Sequence, residues 1–273
     1  MKTMREQLRE GLIVNNRYQI EALLGEEGAE SVYLCRELAA GKARTRMKIV
    51  DANSFTLGSA ASVSREFALL VRLRHPNLVR TLDFGVLEAS RELFVVEEWI
   101  EAQDVYSGTE GMDPEKVLCL IMKILKTLRY LHTRGIVHGN LNCLSIILCK
   151  SGETHDIKLQ DFGLMHHVPN ASRRRGFESL AYLAPEVIMG AGVNESSDLY
   201  SLGVTIYQLL ARRLPFEDED AGFLMQKHLQ GSVDLHPIER LRCGAGVSRL
   251  ICSLLDKDPS KRCLRQGCNA ACQ

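Results

Sequence analysis

The sequence predicts an α+β chain in two lobes: a small β-sheet with one main helix, then a larger, mainly helical part. From Arg17 to about Glu101, short apolar runs alternate with turns, broken once by a helical pattern around Ser64–Leu73. That pattern is a small sheet with one helix. From Asp113-Pro114 onward the apolar period becomes helical. At 273 residues the chain is long for one core and ordinary for two lobes around a cleft.

Residues 1–16 read as a short charged extension, with a helix as one option and Leu12-Ile13-Val14 as its docking point on the first lobe. The body is residues 17–273, with the lobes meeting near residues 100 and 101. Asp113 suits a helix N-cap and Pro114 its first turn, after which Val117, Leu118, Ile121, Ile124, Leu125 and Leu128 recur at helical spacing. Leu202, Ile206, Leu209 and Leu210 repeat the pattern.

Composition excludes several classes. Lys plus Arg total 34 and Asp plus Glu total 34, so no charge excess points to nucleic acid or an anionic membrane. No apolar run approaches the roughly 20 residues needed to span a bilayer, and the charged start does not read as a signal peptide. Nine cysteines, an odd number, read as reduced thiols and imply a cytoplasmic location. Cys263, Cys268 and Cys272 lack the paired spacing of a zinc site. His166-His167 has no neighbouring Cys or acidic cluster to complete one, and Arg173-Arg174-Arg175 reads as a solvated loop.

An ordered set of motifs carries more. Leu24-Gly25 followed by Ser31-Val32-Tyr33-Leu34, then Met47-Lys48-Ile49-Val50, Arg65-Glu66 and Leu93 to Ile100 come first. Ile136-Val137-His138-Gly139-Asn140-Leu141-Asn142, Asp161-Phe162-Gly163, Ala184-Pro185-Glu186, Asp198 and Arg262 follow. The set resembles the protein kinase superfamily, in wording closest to bacterial-type serine/threonine kinases, and spans nearly the whole chain. The resemblance implies the two-lobed protein-kinase-like fold and a relic nucleotide cleft formed by Lys48, Glu66, Asp161, Val32, Ile147, Glu97 and Trp99. It implies structural roles for Asp198, Glu186 and Arg262. Lys48 would lie in an open cleft and contribute little to stability.

The chain departs from the family where the chemistry sits. Asn140 stands at the base position, Asn142 at the loop-lysine position and Ser145 at the magnesium-Asn position. A carboxamide is no general base near neutral pH. Glu27 and Glu30 occupy two glycine positions of the phosphate loop, Arg46 replaces the small residue that roofs adenine, and Gly139 replaces an arginine that receives phosphate. The arginine either fills the adenine slot or snorkels out. Asp161 is then the candidate metal ligand and Ser145 a poor one, so ATP and Mg are the family's ligands at a degraded site. The expectation is a pseudokinase without an intact catalytic residue, a scaffold or allosteric regulator binding a protein partner such as an active kinase or other signalling protein. The alternatives are an active serine/threonine kinase with a displaced base, and another nucleotide-dependent transferase.

Overall fold

The computed structural model describes residues 9–27, 30–39, 41, 43–50, 68–87, 92–151, 154–162, 177–241 and 244–262. The chain divides into two compact units, with a boundary between Glu101 and Ala102.

The first unit is one antiparallel sheet. Its strands are β1 (Ile13–Val14), β2 (Tyr18–Glu27), β3 (Glu30–Glu37), β4 (Arg44–Val50), β5 (Thr81–Val86) and β6 (Leu93–Glu98), in the order β1-β2-β3-β4-β6-β5. The described end of the extension is therefore extended rather than helical. Ile13 and Val14 pair with Gln19 and Tyr18, and Val14 enters the core. Period-two alternation decides which face is buried. In β3 the odd positions Ser31, Tyr33, Cys35 and Glu37 are buried, and Val32, Leu34 and Arg36 are half-buried. Tyr33, Cys35, Met47, Ile49, Phe94 and Val96 join Val14, Tyr18 and Ile20 in one apolar cluster on that face. The opposite face carries two cross-strand rows, Leu34–Arg46–Glu97 and Val32–Lys48–Val95. Of the helix around Ser64–Leu73, residues 68–72 are described and helical.

The second unit contains the sheet β7 (Gln103–Asp104), β8 (Ile146–Ser151) and β9 (Thr154–Leu159), and four longer helices. Helix α1 is Pro114–His132, with the Asp113 carboxylate accepting from the Glu115 N–H at its start. Its buried stripe is Val117, Leu120, Ile121, Ile124, Leu125, Leu128 and Leu131, so Leu120 takes the place expected for the half-buried Leu118. Helix α2 (Glu195–Ala211) starts at a reciprocal Asn194–Ser197 capping box. It buries residues all round its circumference, as a central helix does. A Cβ on Gly203 would meet Leu254 Cβ at 2.8 Å, so glycine there lets α2 approach helix α4 (Gly244–Leu254). Helix α3 is Ala221–Gln230, capped by Asp220. No described helix is long and apolar enough to cross a membrane.

Candidate functional site

The loop after α1 is held by one buried carboxylate. Asp198, on the first turn of α2, is 1% exposed. Its two oxygens accept from the backbone N–H groups of His138 and Gly139, both at 2.8 Å, and Oδ2 also lies 2.8 Å from His132 Nε2. Gly139 has φ +77°, in the left-handed region that glycine enters at no steric cost. The glycine at the position expected for a phosphate-receiving arginine thus has a backbone role that sequence alone did not reveal. The ring of buried His138 meets Phe162 edge-on at 6.3 Å.

Asn142 and Ser145 form a structural pair. Asn142 Oδ1 accepts from the N–H groups of Leu144 (2.8 Å) and Ser145 (3.0 Å), capping the 3₁₀ turn Cys143–Ser145. In return Ser145 Oγ accepts from the Asn142 N–H at 3.0 Å and donates to the Asn142 carbonyl at 2.9 Å. Asn142 Nδ2 donates to the Asn140 carbonyl at 3.0 Å. Both side chains are buried, Ser145 at 2% exposure. The two positions expected to match the family's loop lysine and magnesium ligand are thus joined in a reciprocal cap. The Ser145 carbonyl accepts from the Gln160 N–H at 2.9 Å, tying this turn to the segment that ends at Asp161. Asp161 is half-buried and has φ +61°, an uncommon conformation for a residue with a side chain.

In the first unit, the face opposite the core carries an ion pair. Arg46 and Glu97 are register partners on β4 and β6, and Arg46 Nη1 meets Glu97 Oε2 at 2.5 Å. Their side chains are 14% and 6% exposed. Arg46 therefore does not snorkel outward. Glu97, expected among nucleotide-contacting residues, is its partner. Lys48 shares this face and is 5% exposed, which corrects the expectation of an open position. Val32 is its register partner on β3, and Val32 and Trp99 are half-buried. Ile147, on β8 in the second unit, is half-buried and pairs with Asp104 and Lys158. Glu27 and Glu30 close the β2–β3 ladder as its last register pair; their side chains lie outside the described residues. So do Glu66, His166, His167, Arg173 to Arg175, Cys263, Cys268 and Cys272. Among the described residues no group of three His, Cys, Asp or Glu could hold a metal ion.

The scaffold is tightly bonded. Arg262 grips Glu186 through two parallel bonds of 2.7 and 2.9 Å. It also donates to the carbonyls of Asp256, Ser196 and Lys257 and lies 4.9 Å over the Tyr200 ring. Arg262 is 4% and Glu186 8% exposed. Such a fork satisfies the planar guanidinium in a way lysine cannot.

Residues 18–271 match the family model described as protein kinase domain. The chain is 31% identical over 268 residues to serine/threonine-protein kinase pkn2 of Myxococcus xanthus, covering 93% of this chain and 31% of that protein. Against pkn3 of the same organism the identity is 30% over 267 residues, covering 92% and 48%. Against human serine/threonine-protein kinase D2 it is 32% over 265 residues, covering 94% and 29%. The chain thus spans less than half the length of each of these relatives.

Proposed function

The chain belongs to the protein kinase domain family, and on that premise we propose that it is a pseudokinase: a scaffold or allosteric regulator that works by binding a protein partner and does not transfer phosphate. The observation that carries this reading is the reciprocal Asn142–Ser145 cap, lying two residues beyond an Asn at the base position. Phosphoryl transfer in this family needs a group to accept the substrate proton and oxygen ligands to hold metal beside the phosphates. Asn140 offers no basicity. Ser145 engages its proton and one lone pair within its own turn. ATP and magnesium are typical of the family, but these residues do not fit the metal, and we derive no step through it.

The Arg46–Glu97 pair supports the same reading. A flat apolar roof is replaced by an ion pair nine-tenths buried at its carboxylate, and separating such a pair to admit a base is costly. Against this, Lys48 and Asp161 remain at their motif positions, and relatives of the chain bear the name serine/threonine-protein kinase. They favour a second reading, an active serine/threonine kinase in which positioning outweighs the lost base.

A phosphate-transfer assay with labelled ATP and either magnesium or manganese separates the two. The pseudokinase reading expects no transfer to the chain itself or to a basic peptide. Transfer that disappears in both Lys48→Ala and Asp161→Ala would establish the kinase instead.

A further inference from the structure

Beyond its first turn, where Glu115 is exposed on the same side, the solvent side of α1 carries charge of one sign. Lys116, Lys123, Lys126 and Arg129 lie on the helix and Arg134 just beyond it; all are exposed except Lys123, which is half-buried. At 100° per residue these positions share one arc of the helix, opposite the apolar stripe. The acidic residue of the first turn is Glu115, and no Asp or Glu follows within the helix. The whole chain balances its charges at 34 each, so this face reflects local segregation rather than a basic composition.

The fold accounts for two of these cations and not for the other three. Lys123 pairs with Asp156 at 2.9 Å, and the Arg134 guanidinium stacks 3.6 Å over the Tyr130 ring. The side chains of Lys116, Lys126 and Arg129 bond to no other described residue. Their neighbours four residues away are apolar or neutral, Met122 and Tyr130 for Lys126, Leu125 and Thr133 for Arg129, so no i,i+4 ion pair relieves them. Cations near the helix C-terminus suit its dipole, but Lys116 sits in the first turn, where the dipole disfavours a positive charge.

We propose that this face of α1 docks an acidic protein segment, an acidic helix laid along it. The proposal rests on the reading that the chain acts by binding, and names the chemistry of the partner. Lys116 to Arg129 span about 20 Å at 1.5 Å per residue, the length of a short partner helix whose carboxylates recur at the same three- and seven-residue spacing. Charge complementarity of this kind steers encounter and sets register. A bilayer is disfavoured because none of the large exposed apolar residues lies on α1, leaving nothing to insert. Single-stranded nucleic acid is disfavoured because the one aromatic of this face, Tyr130, is already covered by Arg134.

The test is fluorescence anisotropy on the full chain at low and high salt. The probe is a labelled helical peptide with glutamate at three- and four-residue intervals. Phosphatidylserine vesicles and polyuridylate represent the other two classes. Saturable peptide binding at low salt is expected. It should weaken at least tenfold in Lys126→Glu/Arg129→Glu and in the milder Lys126→Gln/Arg129→Gln, with unchanged melting temperatures. It should stay within twofold in Arg240→Glu/Lys261→Glu, two exposed cations away from α1. No peptide binding, an equal loss in the control pair, or tighter vesicle or polyuridylate binding abolished by the α1 changes would overturn the proposal. Phosphate transfer assayed on the same preparations keeps the outcomes apart, because activity there removes the pseudokinase reading without touching the peptide result.

Discussion

Asn142 and Ser145 show that positions read from sequence as departures from the family also carry a structural role. As a sequence, Asn-Cys-Leu-Ser reads as a catalytic loop missing its lysine and its magnesium ligand. In the folded chain its ends cap each other. The signal was present in the sequence, since Asn at a cap with Ser three residues on is a capping pattern. A direct consequence is that restoring the family residues is harmful. Asn142→Lys with Ser145→Asn should lower stability by about 1–2 kcal/mol, the usual range for a lost cap. It should restore no phosphate transfer when Asn140→Asp is added. Urea denaturation at constant slope reads the first result. Arg262→Ala should cost more, about 3–5 kcal/mol, because it leaves Glu186 buried without its partner, and Arg262→Lys should recover only part of that.

At the scale of elements, β4 and β6 bring Arg46 and Glu97 together across 51 positions of sequence. No local pattern announces such a pair, because strand register decides it. The burial of Lys48 was equally illegible, since it depends on what covers that sheet face. The α1 cap and the helical period of α2 were legible, because each is set by residues a few positions apart. Arg46→Ala should destabilise by about 3–5 kcal/mol, whereas Arg46→Met with Glu97→Met should recover most of that loss, as uncharged replacements of buried pairs often do. Equal thermal stability of the single and double variants would show that the pair is not coupled.

Helix α3 carries a second buried charge problem. His228 is fully buried on it, with Nδ1 2.9 Å from the Tyr200 hydroxyl. Burial, with a smaller contribution from the Lys257 charge, pushes its pKa down from 6.5 to about 3. A depressed value in the folded state means that the neutral ring is favoured there. Its contribution is complete above pH 6.5 and is lost as the pH falls from there toward 3. At roughly 1.4 kcal/mol per unit, that is several kcal/mol at the acid end. His228→Gln should flatten the fall in melting temperature between pH 6.5 and 4. An unchanged slope would assign acid lability to other groups.

For the whole molecule, the contrast we propose is between a scaffold kept intact and a reaction centre rebuilt. Asp198 and the Glu186–Arg262 fork are buried and fully bonded in the second unit, and the loop beside Asp198 carries the reciprocal Asn142–Ser145 cap. The decisive measurement is calorimetric titration of the unmodified chain with ATP in the presence of magnesium. The pseudokinase account expects no saturable heat of binding. Stoichiometric binding that is lost in both Lys48→Ala and Asp161→Ala would contradict it.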